Sequence, residues 1–248
     1  MVKVVITGGS GFIAQHLIKR LQENFLTNNI EEITTIDRKP FPKKYLRYPE
    51  NIPIFHKQCE LTNLESLKSV LKNKNVVFHL GRKRFEMLFD PEKDVEISEA
   101  YIRDNIEATE TLIEAMIAEN VQYLVYLGDA YANLELEENY GLSEDNYSGI
   151  PKTFLTGEYG ETKIRGEIFA RKSVGRKLKN GEQNLQGVFP RATFVYGEGD
   201  IKMMETFLNV CQRHQGCIPF FEGSSRGMFQ YVSLDGDCLK MLWVSFKN

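Results

Sequence analysis

The four cysteines, Cys59, Cys211, Cys217 and Cys238, form no CxxC pair, and the four histidines, His16, His56, His79 and His214, lie far apart. That removes the spacings on which a disulfide framework or a zinc site is built. No stretch approaches the roughly 20 apolar residues that a membrane-spanning helix needs. The N-terminus lacks the basic stretch, apolar run and cleavage site of a secretory signal. Neither sign of charge dominates, since 31 Lys and Arg against 34 Asp and Glu leave a net charge of −3. A general nucleic-acid binder needs a clustered basic face, so that class is excluded, and the basic run Arg171–Lys179 is read as a solvated helix end. No Gly-rich loop is followed by Gly-Lys-Ser/Thr, so there is no P-loop. Gly8-Gly9-Ser10-Gly11-Phe12 lacks the last glycine of a nucleophile elbow. These absences describe a reduced, globular, cytoplasmic protein with no membrane span, compatible with peripheral association with an internal membrane.

What is present is an alternation of apolar strand-length runs with longer helical stretches. Val2–Thr7, Ile33–Asp37, Ile52–His56, Val76–Leu80, Tyr123–Leu127 and Gly187–Val195 read as strands. Phe12–Asn24, Leu64–Leu71 (capped by Thr62 or Asn63), Ile97–Glu119, Glu158–Ser173 and Met203–His214 read as helices, and Leu239–Asn248 as an amphipathic helix. In Ile97–Glu119 the apolar face is Ile102, Ile106, Thr109, Ile113 and Met116. This order predicts an α/β fold: a Rossmann-type, doubly wound parallel sheet with helices on both faces. Residues 1–195 form the nucleotide-binding domain, and residues 196–248 a small, truncated C-terminal substrate region interleaved with it.

The first strand runs into Gly8-Gly9-Ser10-Gly11-Phe12-Ile13-Ala14 and then a helix. A tight turn at that place needs residues without a Cβ, and it brings a pyrophosphate to the backbone N–H groups of the helix N-terminus. The second strand ends at Asp37, the position from which a carboxylate holds the hydroxyls of an adenosine ribose. Such a carboxylate repels a 2′-phosphate, which favours NAD over NADP; Arg38 and Lys39, directly behind it, pull the other way.

Thr7-Gly8-Gly9-Ser10-Gly11-Phe12-Ile13-Ala14 resembles the T-G-G-x-G-F-(I/L)-G opening of the extended short-chain dehydrogenase/reductases. Glu60-Leu61-Thr62-Asn63 is similar to that family's segment near the adenine, and Val76-Val77-Phe78-His79-Leu80-Gly81 resembles its V-F-H-L-A-A. Asn105-Ile106-Glu107-Ala108-Thr109 is similar to N-V-x-G-T, and Tyr159-Gly160-Glu161-Thr162-Lys163 to Y-x-x-x-K. Arg191 through Tyr196-Gly197-Glu198-Gly199 and then Tyr231-Val232 complete the series, which most resembles the 3β-hydroxysteroid dehydrogenase/isomerase-like branch. The resemblance implies cofactor contacts from Gly8, Gly11, Phe12, Ile13, Asp37, Arg38, Glu60, Leu61, Leu80, Gly81, Asn105, Tyr159 and Lys163. It also implies Tyr159 as acid/base and Lys163 as holder of the nicotinamide ribose. Bottom-up, Tyr159 and Lys163 share a helix face, so an ammonium can favour a phenolate that is otherwise formed only near pH 10.

One position breaks the pattern. The family's F-V-Y-T-S-S corresponds to Leu124-Val125-Tyr126-Leu127-Gly128-Asp129, so the substrate-facing hydroxyl is replaced by Asp129. A serine donates to the substrate oxygen, whereas an ionised carboxylate only accepts. Three resolutions are open: Asp129 is protonated by burial, it pairs with Arg82, or Tyr131 supplies the hydroxyl. It can also serve simply to cap a turn. Gly81-Arg82, Ala108 and Ala192 are further departures.

The function expected is NAD-dependent hydride transfer with a secondary alcohol or ketone, sterol-like by resemblance. The alternatives are a nucleotide-sugar epimerase or reductase, and a dinucleotide-binding sensor or interaction partner impaired at Asp129. The expected partners are a small-molecule substrate, sterol-like or nucleotide-sugar, and a second copy of the chain paired through Ile97–Glu119 and Glu158–Ser173.

Overall fold

The computed structural model describes residues 1–24, 29–42, 46–86, 94–136, 150–217 and 230–234. In chain order the elements are β1 (Val2–Thr7), α1 (Phe12–Glu23), β2 (Ile30–Asp37), β3 (Ile54–Gln58), α2 (Leu64–Leu71) and β4 (Val76–His79). Then come α3 (Asp94–Tyr101), a π-helical turn (Ile102–Glu107), α4 (Ala108–Ala118), β5 (Tyr123–Tyr126) and β6 (Gly128–Asp129). After a 3₁₀ turn at Tyr131–Asn133 follow α5 (Gly157–Ser173), β7 (Gln186–Val188), β8 (Arg191–Ala192), β9 (Phe194–Tyr196), α6 (Ile201–Arg213) and β10 (Tyr231–Ser233).

Six strands form a parallel sheet in the order β3-β2-β1-β4-β5-β7, reversing direction of growth beside β1. This is the doubly wound arrangement, whose ligand crevice lies at the carboxyl ends of the strands at that reversal. Central strands are buried on both faces, which is why Val4–Ile6 of β1 and Val76–Phe78 of β4 read as continuous apolar runs. Alternate residues supply two cores. Val4, Ile6, Val76 and Phe78 face α1 through Leu17, Ile18 and Leu21, while Val5 and Val77 face α2 and α4 through Leu67, Leu71, Leu112 and Met116. Asn63, rather than Thr62, caps α2 by accepting from Ser66 N–H at 3.0 Å.

Two expected elements differ. Gly187–Val195 is three short strands, not one. Gly128 N–H bonds the carbonyl of Pro190 (2.8 Å), and the chain then leaves the main sheet. There β8 pairs with β6, and β9 with β10. The helix expected over Ile97–Glu119 is interrupted by the π turn. One extra residue per turn shifts the helical register, so Ile102, placed on the apolar face by spacing, is 45 % exposed. The turn buries Asp104 and Asn105 instead. The amphipathic pattern at Leu239–Asn248 lies outside the described residues.

Behind the carboxyl ends of β1 and β4 runs a continuous buried hydrogen-bond chain. The Thr7 hydroxyl oxygen accepts from Leu80 and Gly81 N–H (3.2 and 3.1 Å), so its proton goes to His79 Nδ1 at 2.7 Å. His79 Nε2 then donates to the Thr109 hydroxyl (3.1 Å), which donates to the Asn105 carbonyl (2.8 Å). Neutral imidazole is the species this chain requires, and burial, followed by the nearby Lys163 charge, pushes His79 down to about 3. From Asn105 the chain continues: its side-chain oxygen accepts from Lys83 N–H (3.1 Å) and its amide donates to the Thr162 hydroxyl on α5 (3.0 Å).

The α5 backbone meets the π turn so closely at Gly166 that a Cβ there would collide with the Asn105 carbonyl. Gly166→Ala is therefore expected to lower unfolding free energy by about 1–3 kcal/mol, the usual cost of overpacking, as read from urea denaturation.

Candidate active site

The glycine turn comes first. Gly8 has φ +68°, and a Cβ on it would lie 2.9 Å from Gly81 Cα and N, so position 8 must be glycine for β1 and β4 to deliver their ends side by side. Gly11 N-caps α1 without a side-chain bond, and the first intrahelical bond is Gln15 N–H to Gly11 C=O (3.1 Å). The amides of Phe12, Ile13 and Ala14 therefore precede the hydrogen-bond ladder, where a helix presents N–H groups to an anion. The side chains of Phe12 and Ile13 are turned to the apolar cluster around Leu17.

Beside the turn opens a cleft of about 80 Å³. Gly8, Asp37, Arg38, Glu60, Leu61 and Gly81, all singled out from sequence, line it. Asp37 accepts from Ser10 N–H (3.0 Å) and from Lys39 N–H (2.9 Å), which fixes its carboxylate at the rim. Asp104 also lines the cleft. It was not identified from sequence, because only the π turn rotates it there. Asn105 and Leu80 do not line the cleft. The Asn105 side chain holds Lys83 and Thr162, and the Leu80 amide is bound to Thr7.

Tyr159 projects from α5 and is 2 % exposed. Its hydroxyl donates to Asp129 Oδ2 at 2.6 Å and accepts from Arg82 Nη1 at 2.7 Å. Arg82 Nη1 also reaches Asp129 Oδ2 at 3.1 Å, while Asp129 Oδ1 accepts from Tyr131 N–H at 3.0 Å. Of the three resolutions open at Asp129, pairing with Arg82 is the one realised. Tyr131 does not substitute for the missing serine: its hydroxyl bonds the backbone of Gln230, whose N–H lies 2.7 Å away. Asp129 thus bonds the N–H of the first residue of the 3₁₀ turn, whose N-cap is Ala130, as well as engaging Tyr159. Every contact it makes is with a donor, the pattern of an accepting carboxylate.

The cation expected beside Tyr159 is corrected in identity. Lys163, 4 % exposed, directs Nζ to the Tyr126 hydroxyl (3.3 Å) and the Leu127 carbonyl (3.4 Å), and Arg82 holds the Tyr159 hydroxyl. Spacing of four places two side chains on one face, but the Lys163 chain runs under the sheet end instead of along the helix. Burial raises the Tyr159 pKa above its ordinary value, with Asp129 adding to the rise and Arg82 opposing it. Although burial disfavours its charge, Tyr159 and Asp129 hold Arg82 above the usual guanidinium value. Lys163 is pushed down to about 8, by burial first and then by Arg82.

Gly128, where the family has a serine, is explained by what lies beneath it. Buried Glu167 accepts from Arg191 Nε (3.0 Å) and Arg171 Nε (2.8 Å), and a Cβ on Gly128 would lie 2.6 Å from Glu167 Oε2. This ion pair ties α5 to β8 and so sets the strand that carries Asp129.

Parallel order 3-2-1-4-5-7, a glycine turn at the helix start and an acidic end to β2 define a doubly wound α/β protein of the dinucleotide-binding class. The chain belongs to the 3-beta hydroxysteroid dehydrogenase/isomerase family, whose family model matches residues 5–233. It is 25 % identical over 217 residues to the 3 beta-hydroxysteroid dehydrogenase/Delta 5-->4-isomerase of Vaccinia virus (strain Ankara), covering 86 % of this chain and 58 % of that protein. It is 29 % identical to the uncharacterized UDP-glucose epimerase YtcB of Bacillus subtilis (strain 168), over 96 % of this chain and 71 % of that one. Among solved structures, MoeE5 in complex with UDP-glucuronic acid and NAD matches with a TM-score of 0.71 at 24 % identity, covering 99 % of this chain and 72 % of that one. The chain thus spans little more than half the length of its viral relative. No helix among the described residues is long and apolar enough to cross a membrane.

Between pH 8 and 10.5 the unfolded chain holds a proton on Lys163 that the folded chain has released. More protons on the unfolded state mean that stability rises with pH across this window. From pH 8 to about 9.5, natural protein should gain about 1.5 kcal/mol relative to Lys163→Met in denaturant titrations.

Proposed function

We propose that the chain carries the cofactor site and catalytic residues of an NAD-dependent oxidoreductase acting on a secondary alcohol or ketone of sterol-like class. The observation that carries this reading is the Tyr159 hydroxyl, held between Asp129 and Arg82, with Arg82 itself lining the cleft beside the glycine turn. A turn that only glycine can make, open amides at the start of α1 and the rim carboxylate Asp37 fit a dinucleotide without a 2′-phosphate. NAD, when bound, supplies the hydride acceptor. The glycine turn and the α1 N-terminus would hold its diphosphate, Asp37 the adenosine ribose, and Lys163 the nicotinamide ribose. Residues beyond β9 would supply the substrate side.

Asp129 changes how the proton moves. With burial and a carboxylate favouring the neutral phenol, Tyr159 is a donor at rest. In the oxidising direction the substrate hydroxyl gives its proton to Tyr159 Oη while Tyr159 passes its own to Asp129 Oδ2, and a hydride leaves the carbinol carbon. The net products are the ketone, reduced cofactor and a proton on Asp129, which then passes to solvent. Arg82 supplies the donor that the missing serine does not, stabilising negative charge on Tyr159 and on the substrate oxygen.

A nucleotide-sugar substrate is the second reading, favoured by the likeness to YtcB and to MoeE5 with its UDP-sugar. A third, a dinucleotide-binding protein without turnover, is favoured by the full commitment of the Tyr159 hydroxyl to two charged neighbours.

The test is NADH formation from NAD with 3β-hydroxysteroids and, separately, conversion of UDP-glucose followed as the sugar product, because an epimerisation returns the hydride and leaves no net NADH. Natural protein should turn over a steroid. Tyr159→Phe and Asp129→Asn should each lose about 10²–10⁴-fold in kcat, the range for a general acid/base. Activity confined to UDP-glucose selects the second reading. Activity that appears only in Asp129→Ser selects the third.

A further inference from the structure

Arg38 stands directly after Asp37 at the rim of the cleft. A guanidinium in that place is the side chain that receives the 2′-phosphate of NADP, because its planar fork matches phosphate oxygens. Here the fork is already engaged. Arg38 Nη2 is ion-paired with Asp104 Oδ2, and Arg38 Nε lies 3.9 Å from Glu60. Asp104 is 7 % exposed and its other oxygen accepts from Arg103 Nε at 2.9 Å. Both carboxylate oxygens are therefore oriented by the protein; the carboxylate is buried while the Arg38 side chain is 42 % exposed, so solvent screens the pair in part. Only the π turn makes this possible, since it buries Asp104 on the side of α4 that faces the cleft.

We infer that Asp104 is a specificity-determining residue: it withdraws Arg38 from a 2′-phosphate and adds a negative charge beside Asp37 and Glu60. The inference rests on the NAD reading proposed above and deepens it. Asp37 alone leaves the choice of cofactor contested, because the cation behind it attracts what the carboxylate repels. With Arg38 paired to Asp104 and lying beside Glu60, a phosphate bearing about −1.5 to −2 charges meets three carboxylates and a guanidinium whose charge is already offset. A 2′-hydroxyl meets no such penalty.

The experiment is equilibrium titration of the full chain with NADH and with NADPH, followed by dinucleotide fluorescence, so no substrate is needed. Asp104→Asn keeps the shape of the side chain and removes its charge. It should lower the NADPH dissociation constant relative to that of NADH about tenfold, equivalent to about 1.4 kcal/mol. Arg38→Ala added to Asp104→Asn should return NADPH to its starting value, because the freed guanidinium carries the gain. Glu60→Gln, at an exposed position, should shift the ratio in the same sense by a smaller factor, and it decides the matter if Asp104→Asn does not fold. NADH binding with a NADH/NADPH ratio unmoved by either charge-removing variant overturns this inference alone. So does a loss of NADPH affinity in Arg38→Ala made on the natural protein, which would show the guanidinium already serving the phosphate. Absence of binding by either dinucleotide to natural protein overturns the cofactor reading and this inference with it.

Discussion

The buried hydrogen-bond chain from Thr7 through His79 and Thr109 to Asn105 is the constraint around which the cleft is built. Each link uses its one proton in one direction, so the order of donors is fixed from the Leu80 and Gly81 amides to the Asn105 carbonyl. At one end it holds Gly81 against Gly8, which shapes the turn at the sheet's reversal point. At the other it anchors the π turn and, through Thr162, the helix that carries Tyr159 and Lys163. Each buried bond contributes only about 0.5–1.5 kcal/mol net, but leaving one donor unmet costs about 1–3 kcal/mol, so the chain persists as a unit. A charged imidazole would need to donate from both nitrogens, which the Thr7 hydroxyl cannot accept while serving two amides.

The same π turn connects the structural and chemical parts of the molecule. By inserting one residue into a turn it exposes Ile102, buries Asp104 toward Arg38 and brings the Asn105 carbonyl against Gly166. Cofactor selection and helix docking are in this way two consequences of one local irregularity. Functional sites are where regular helices are most often broken in this manner.

Around Tyr159 the structure replaces a neutral hydroxyl with an ion pair. A carboxylate facing a phenol alone would hold the proton in place and repel a forming alkoxide. A guanidinium within hydrogen-bond distance of both groups offsets that repulsion and keeps three polar side chains mutually satisfied. Glu167 and Arg191 beneath Gly128 show that the substitution extends below the surface: the strand end bearing Asp129 is seated on a second, buried ion pair.

The fold was legible in the sequence because a parallel sheet buries its central strands on both faces, so β1, β4 and β5 each carry a continuous apolar core of three residues, separated by helical periods. The glycine turn and Asp37 were legible for a related reason: only certain residue types tolerate that backbone and that neighbour. Gly187–Val195 misled because apolar composition does not register a change of sheet, and Pro190 marks the break only once Gly128 is seen bonding its carbonyl. Ile102 misled because a period of 3.6 assumes that no turn is widened. Asp129 could be recognised from sequence as a departure, and Arg82 as one of its candidate partners, yet spacing alone pointed to Lys163 as the cation for Tyr159. Which cation reaches the phenol depends on where two strand ends and a helix meet, as does the meeting of Asp104 with Arg38 across 66 residues of chain. Local sequence determines which chemistry is on offer at each position; tertiary packing decides which charges face one another, because electrostatic partners are chosen by distance in space.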